Sequence, residues 1–320
     1  MRTAVIAAAV LWGTAGTAGA LVAGVDPVSL AAARLVIGGL VLAAVTAPAL
    51  RSVLAPGSPL RVPPLRAGPV PDAAPLRFFR FPARPGPLVA AAVAVAAYQL
   101  CFFAAVGRTG VAVGTVVAIG SGPVFTGLLS WLLDGVRPGR RWAGATAVAI
   151  TGCAVLTGGG GGQVRADGVL LALLGGLLYA FYAVGAARAI GAGAPSDAVM
   201  GLMFGGAGLV MLPVLLWTGT GWLAEPRGLL VALYLGCATT ALAYLLYGRG
   251  LRTTPVATAA TLALAEPAVA ALLGVLVLGE RLTPASVAGL LLLGISLAAV
   301  APPERETAGG GGRGAIGSSA

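Results

Sequence analysis

LALAEPAVAALLGVLVLGERLTP, residues 262–284, places an acidic residue, Glu266, directly before Pro267 in an apolar run otherwise long enough to cross a bilayer. A carboxylate at membrane depth costs about 2.5–3.5 kcal/mol on insertion scales. The rest of the chain has the same apolar character. Mean hydropathy is +0.97, 58% of residues are hydrophobic and 9% are charged. A soluble domain carries about 25% charged residues, so this chain lacks the polar surface that water requires. Its composition predicts an all-α polytopic membrane protein.

Apolar runs of spanning length occur near 3–24, 28–48, 87–107, 110–133 and 142–158. A second set lies near 168–190, 198–218, 228–248, 254–278 and 285–301. That makes about ten helices, since uninterrupted runs of this length are not barrel strands. Turn signals separate them at Asp26-Pro27, Gly135 to Pro138, Gly158 to Gly162, Pro195 to Asp197 and Gly279-Glu280-Arg281. The opening run, with Arg2 ahead of AVIAAAVLW and a small-residue TAGA, also has the form of a signal peptide. The reading as a first helix is preferred, because cleavage would leave an odd number of spans.

Every one of the 20 basic residues is arginine, and the net charge is +10. With the N-terminus inside, fifteen arginines fall on cytoplasmic segments and four outside, with Arg34 inside a helix. This positive-inside bias predicts a multi-pass protein of the cell membrane with both termini cytoplasmic. It also accounts for the charge without nucleic acid as a partner. Residues 49–86 form a Pro/Arg-rich cytoplasmic loop able to meet anionic lipid headgroups, and residues 302–320 a low-complexity, disordered tail. Cys101, Cys153 and Cys237 lie in apolar runs far apart, and with no histidine present they are read as packing residues, not metal ligands.

Residues 109–133 can be laid on 253–277 without a gap, setting Pro123 on Pro267, Arg108 on Arg252 and Thr109 on Thr253. Pro27 pairs likewise with Pro195, and Leu11-Trp12-Gly13 with Leu178-Tyr179-Ala180. Two five-helix repeats follow, 1–158 and 168–301. An odd number of spans per copy makes the topology inverted, a plan of secondary transporters with a solute site near the midplane.

Three stretches carry a resemblance to a known family: LWGTAG at 11–16, PVSLAAARLVIGGLVL at 27–42, and EPAVAALLGVLVLGERLTPASVAGLLLLGI at 266–295. The chain resembles the EamA-type members of the drug/metabolite transporter superfamily over nearly all of residues 1–301. The resemblance implies a ten-helix bundle with a central cavity that moves solutes by alternating access; it does not imply one substrate. The long 49–86 loop departs from the family's pattern.

Glu266 stands about twelve residues into the ninth run, near mid-membrane at about 1.5 Å per residue. It could carry a cation or amine, exchange protons, or simply brace the kink that Pro267 introduces by removing a backbone donor; Pro123 is the matching kink position. Arg34 could snorkel outward, pair with an anionic solute group, or pair with Glu266. Tyr98 and Gln99 on the third helix are polar groups needing partners in lipid, and Trp12 and Tyr179, matched by the repeat, could line a cavity for an amphipathic solute.

No nucleotide-binding motif, metal cluster or nucleophile–base pair is present, so neither a cofactor nor catalysis is expected. The functional expectation is a secondary transporter of a small metabolite, amino acid or related amphipathic solute, working by export or exchange with protons as a candidate coupling ion. The rival expectation is a non-transporting membrane scaffold or sensor that works through its loop and tail.

Overall fold

The computed structural model describes residues 2–22, 24–54, 86–135, 137–157, 165–278 and 283–300. Among these the chain is helical throughout, with no strand. The helices are α1 (Arg2–Ala20), α2 (Pro27–Val45), α3 (Ala47–Leu54), α4 (Gly86–Gly110), α5 (Val113–Asp134), α6 (Arg140–Thr157), α7 (Ala166–Gly191), α8 (Ser196–Thr218), α9 (Pro226–Leu251), α10 (Val256–Val277) and α11 (Pro284–Val300). Eight are long and apolar enough to cross a membrane, and α11 is a shorter apolar helix. α6 has 18 residues, starts with two arginines and packs along α11. With α3 set aside, ten helices make the bundle.

Local chemistry places the boundaries. Asp26 caps α2, accepting hydrogen bonds from the Val28 and Ser29 amides at 2.8 and 2.9 Å, with Pro27 in the first turn. Gly110, at φ 80°, divides α4 from α5, a conformation that favours glycine.

The structure differs from the sequence expectation at the start of the 49–86 loop. There Ala47–Leu54 is a helix, whose Leu50 packs near Gly201 of α8. The remainder of that loop, the turns at 158–162 and Gly279-Glu280-Arg281, and the tail from 302 lie outside the described residues.

The packing repeats between the halves. α2 packs on α8 and α6 on α11, each against its own counterpart in the other half. α7 packs on the α4–α5 pair, as α1 packs on α9 and α10. A two-fold relation between five-helix halves exchanges these contacts, and five crossings per half make it an inverted one.

Small residues allow this closeness. In α2, Gly39 faces the Phe204 carbonyl so closely that a Cβ would overlap it. On the other side a Cβ on Gly208 of α8 would sit 2.8 Å from the Leu35 oxygen. Leucines point the other way: Leu276 is 78% and Leu209 68% exposed. Trp217 ends α8 at 86% exposed, as aromatic residues do at a bilayer interface. Buried alanine, glycine and threonine inside with leucine outside is the distribution expected where lipid, not water, surrounds the protein. Of the cysteines, Cys153 is buried, but Cys237 is exposed on that outer surface and so is no packing residue.

Candidate functional site

Glu266 is the eleventh residue of the 22 in α10, halfway along the span. The helix is interrupted just before it. Leu264 leaves the ladder with ψ −1°, and its amide bonds to the Thr261 carbonyl at 3.1 Å, a three-residue step. Pro267 cannot donate to the carbonyl four residues back, at Ala263, and the break falls at that place. Pro123 differs: α5 continues as helix through it. Across from the break, Gly13 of α1 has no side chain because a Cβ there would lie 2.7 Å from the Glu266 oxygen and 2.6 Å from the Val269 Cβ. α1 therefore lies directly on the interrupted segment.

Beside this contact is a cavity of about 100 Å³ between the two halves. Trp12, Arg34, Tyr98, Gln99, Tyr179 and Glu266, the six cavity or coupling candidates read from the sequence, all line it. They come from α1, α2, α4, α7 and α10, so no one helix could present them. Arg34 faces inward, and its Nε is buried with no hydrogen-bond partner. The indole nitrogen of Trp12, in a side chain only 6% exposed, is likewise buried and unpartnered. Arg34 and Glu266 share the cavity without forming an ion pair. Ion pairs among the described residues include Arg108–Asp167, Arg165–Asp167, Arg188–Asp134 and Arg249–Asp197.

An inverted pair of five-helix halves thus encloses a cavity with Arg34 and Glu266 on its wall. The EamA-like transporter family model matches residues 3–158 and again 166–301. The chain belongs to this family. It is a membrane transporter of the drug/metabolite transporter superfamily. Its similarity to the "Uncharacterized transporter YwfM" of Bacillus subtilis (strain 168) is 41% identity over 222 residues, 68% of this chain and 74% of that protein. A solved structure described only as "Crystal structure of protein" superposes with a TM-score of 0.73 at 21% identity, covering 93% of this chain and 95% of that one. At that identity the likeness concerns the fold.

In this EamA-like transporter one side of the cavity is aromatic. Trp12 packs on Tyr244 and Tyr247, ring centroids 5.0 and 5.4 Å apart. Tyr179 packs on Tyr182 at 5.3 Å and on Tyr98 at 6.2 Å. Phe204 joins the two groups, touching Tyr244 and Tyr182, and the Tyr179 and Tyr247 hydroxyls stand 3.4 Å apart. Such pairs contribute about 0.5–1.5 kcal/mol each beyond area burial.

Reading the sequence did not single out Tyr182 or Phe204. Tyr182 follows Tyr179 by three residues, as Tyr247 follows Tyr244, a spacing that puts each pair on one helix face. That was the available signal.

Tyr244 and Tyr247 follow a π-helical segment, Cys237–Leu242, within α9. Thr239 and Thr240, both fully buried, donate their hydroxyls to the same Leu235 carbonyl at 2.8 and 3.0 Å. Single π turns interrupt α-helices mostly near functional sites, and this one adjoins the cavity wall. The halves remain chemically unequal. Gly122 holds in the first half the place that Glu266 holds in the second, so the carboxylate has no counterpart.

Proposed function

We propose that this protein is a secondary transporter that moves a small metabolite, amino acid or related amphipathic solute by alternating access, in export or exchange. One observation carries the reading: Glu266 and Arg34 line a common cavity between inverted halves, with Glu266 halfway along its span. A charge kept there at cost marks a solute or ion path more often than a structural brace. The aromatic wall suits the apolar part of an amphipathic solute. Rocking of one half against the other about the cavity would expose it to each side in turn. Glu266 is the coupling residue in this reading, with protons as the candidate ion. Pro267 and the interruption at Leu264 form the hinge beside it, while α5 passes its matching proline, Pro123, as a continuous helix. The protein sits in the cell membrane with both termini and the 49–86 loop in the cytoplasm, where the loop meets anionic lipid.

The test is solute flux into proteoliposomes under an imposed pH gradient, across a mixed metabolite panel, for wild type and Glu266→Gln. Gradient-driven uptake by wild type, with counterflow alone surviving in the variant, is the expected result. Equal uptake by both proteins would reduce Glu266 to a brace, and absence of any flux would refute transport by this route.

A further inference from the structure

A second cavity, of about 450 Å³, lies at the end of the bundle where α1 and α10 begin and α11 finishes. It shares no lining residue with the cavity of Glu266. Three arginines line it, Arg2, Arg137 and Arg141, with Ser130 and Asp134 beside them. Both halves contribute to its wall: α1, α5 and α6 from the first, α10 and α11 from the second. Trp142 of α6 ties the two together, its indole N–H donating to the Ala257 carbonyl of α10 at 3.0 Å.

The acceptor side of this wall is already matched. Asp134 is paired with Arg188 at 3.3 Å, and the Val300 carbonyl that ends α11 accepts from Arg2 at 2.8 Å. The donor side is not. Arg137 lies over the Trp131 ring at 5.4 Å, and neither it nor Arg141 has an ion pair among the described residues. Two helices also begin on the wall, α6 after Gly139 and α10 after Pro255. Helix starts leave backbone N–H groups without acceptors and carry positive partial charge, and α10 has no side-chain cap there. A cleft lined by one sign of charge concentrates the opposite ion.

Ser130 adds an independent sign. It is 9% exposed, and its hydroxyl is buried without a hydrogen-bond partner. Other buried hydroxyls in these helices turn back on the carbonyl four residues earlier. Thr109 bonds Ala105 at 2.9 Å, Thr126 bonds Gly122 at 2.7 Å and Thr239 bonds Leu235 at 2.8 Å. Ser130 stands one turn beyond Thr126 on α5 and leaves that common bond unmade. A buried polar group of this kind is rare, and this one belongs to a wall rich in arginine.

We propose that this cavity is a binding site for a phosphate group, held by Arg137, Arg141 and the amides that open α6 and α10. Guanidinium forks match phosphate oxygens, and helix starts are ready-made phosphate sites. Two sources present that chemistry at a membrane face: the head group of an anionic phospholipid and a soluble phosphate. The site is additional to the solute path and does not depend on which solute is carried.

The experiment follows thermal unfolding of the purified full-length protein in detergent, with one probe titrated at a time at constant ionic strength. The probes are dioleoylphosphatidylglycerol, dioleoylglycerol, which has the same chains without the phosphate, and inorganic phosphate, with chloride as its blank. Phosphatidylglycerol, inorganic phosphate or both should raise the unfolding temperature, while dioleoylglycerol and chloride should not. Stabilisation by the lipid alone identifies a head group as the occupant, and stabilisation by inorganic phosphate alone a soluble one. With both, the phosphate itself is the recognised group.

The half-saturating concentration should rise about 10-fold or more in the double variant Arg137→Gln, Arg141→Gln, the loss expected for charged hydrogen bonds. Arg51→Gln on α3, away from the cavity, should leave it unchanged. Gly139→Asp separates binding from folding. A Cβ there meets nothing within 4 Å, and aspartate is favoured just before a helix. Without probe this variant should unfold no earlier than wild type, yet it should bind about 10-fold or more weakly, because its carboxylate repels the phosphate. No stabilisation by either phosphate probe, equal stabilisation by dioleoylglycerol, or cavity variants that lose no more than Arg51→Gln would overturn the proposal. Solute flux in proteoliposomes decides the transporter reading separately.

Discussion

Gly289 in α11 shows how far single residues set this architecture. A Cβ there would stand 2.6 Å from the Leu156 nitrogen and 2.7 Å from the Gly152 oxygen of α6, whereas at Gly294 on the same helix a Cβ would meet nothing within 4 Å. In lipid the association of α6 with α11 rests on packing and not on water exclusion, so lost contact is not recovered elsewhere. Gly289→Val should lower stability by about 1–3 kcal/mol through overpacking, and Gly294→Val should change it little. Thermal unfolding in detergent decides between them; equal effects would mean that helix propensity, not the close approach, is being measured. Both glycines are plain in the sequence, but with fifty of them in the chain nothing local distinguishes a contact glycine from a free one.

At the scale of elements, the interrupted helix α10 matters most. Its break at Leu264 and the Glu266-Pro267 pair after it lie against Gly13 of α1. Pro267→Ala supplies the missing donor for the Ala263 carbonyl and removes a residue that costs about 3 kcal/mol inside a helix. The variant should be more stable to heat by about 1 kcal/mol or more and slower in solute exchange, because the break would heal. Unchanged stability with unchanged exchange would assign the interruption to the contact with α1. The sequence showed the proline and the place of the break, since a missing N–H is a property of one residue. It did not show that α5 runs on through Pro123, nor the π segment in α9. Those depend on what the neighbouring helices leave room for.

For the whole molecule the prediction concerns orientation. The expectation from ten crossings and the arginine bias is that both termini lie on the cytoplasmic face. Ion pairs hold α7 at both ends against the α4–α5 pair: Asp167 to Arg108 at one, and Arg188 to Asp134 at the other. A fluorescent-protein fusion after residue 320 should glow, and an alkaline phosphatase fusion after residue 161 should be active, since the first five spans end outside. The opposite pattern would invert the molecule.

What the sequence determined alone was the class, the ten helices and their ends to within a few residues, and the lone carboxylate at mid-span. The reason is physical: in lipid each backbone N–H and C=O must be satisfied within its own helix, so the length of an apolar run sets the element. Only the tertiary structure decided which side chains face the cavity. These helices are apolar all round, so no polar stripe marks the inner face, and whether Arg34 snorkels or turns inward depends on α7, α9 and α10 closing around it. The same packing brought Tyr182, Phe204 and Tyr244 into one wall and kept Arg34 and Glu266 apart within one cavity, because these contacts join residues from distant spans that no local pattern relates.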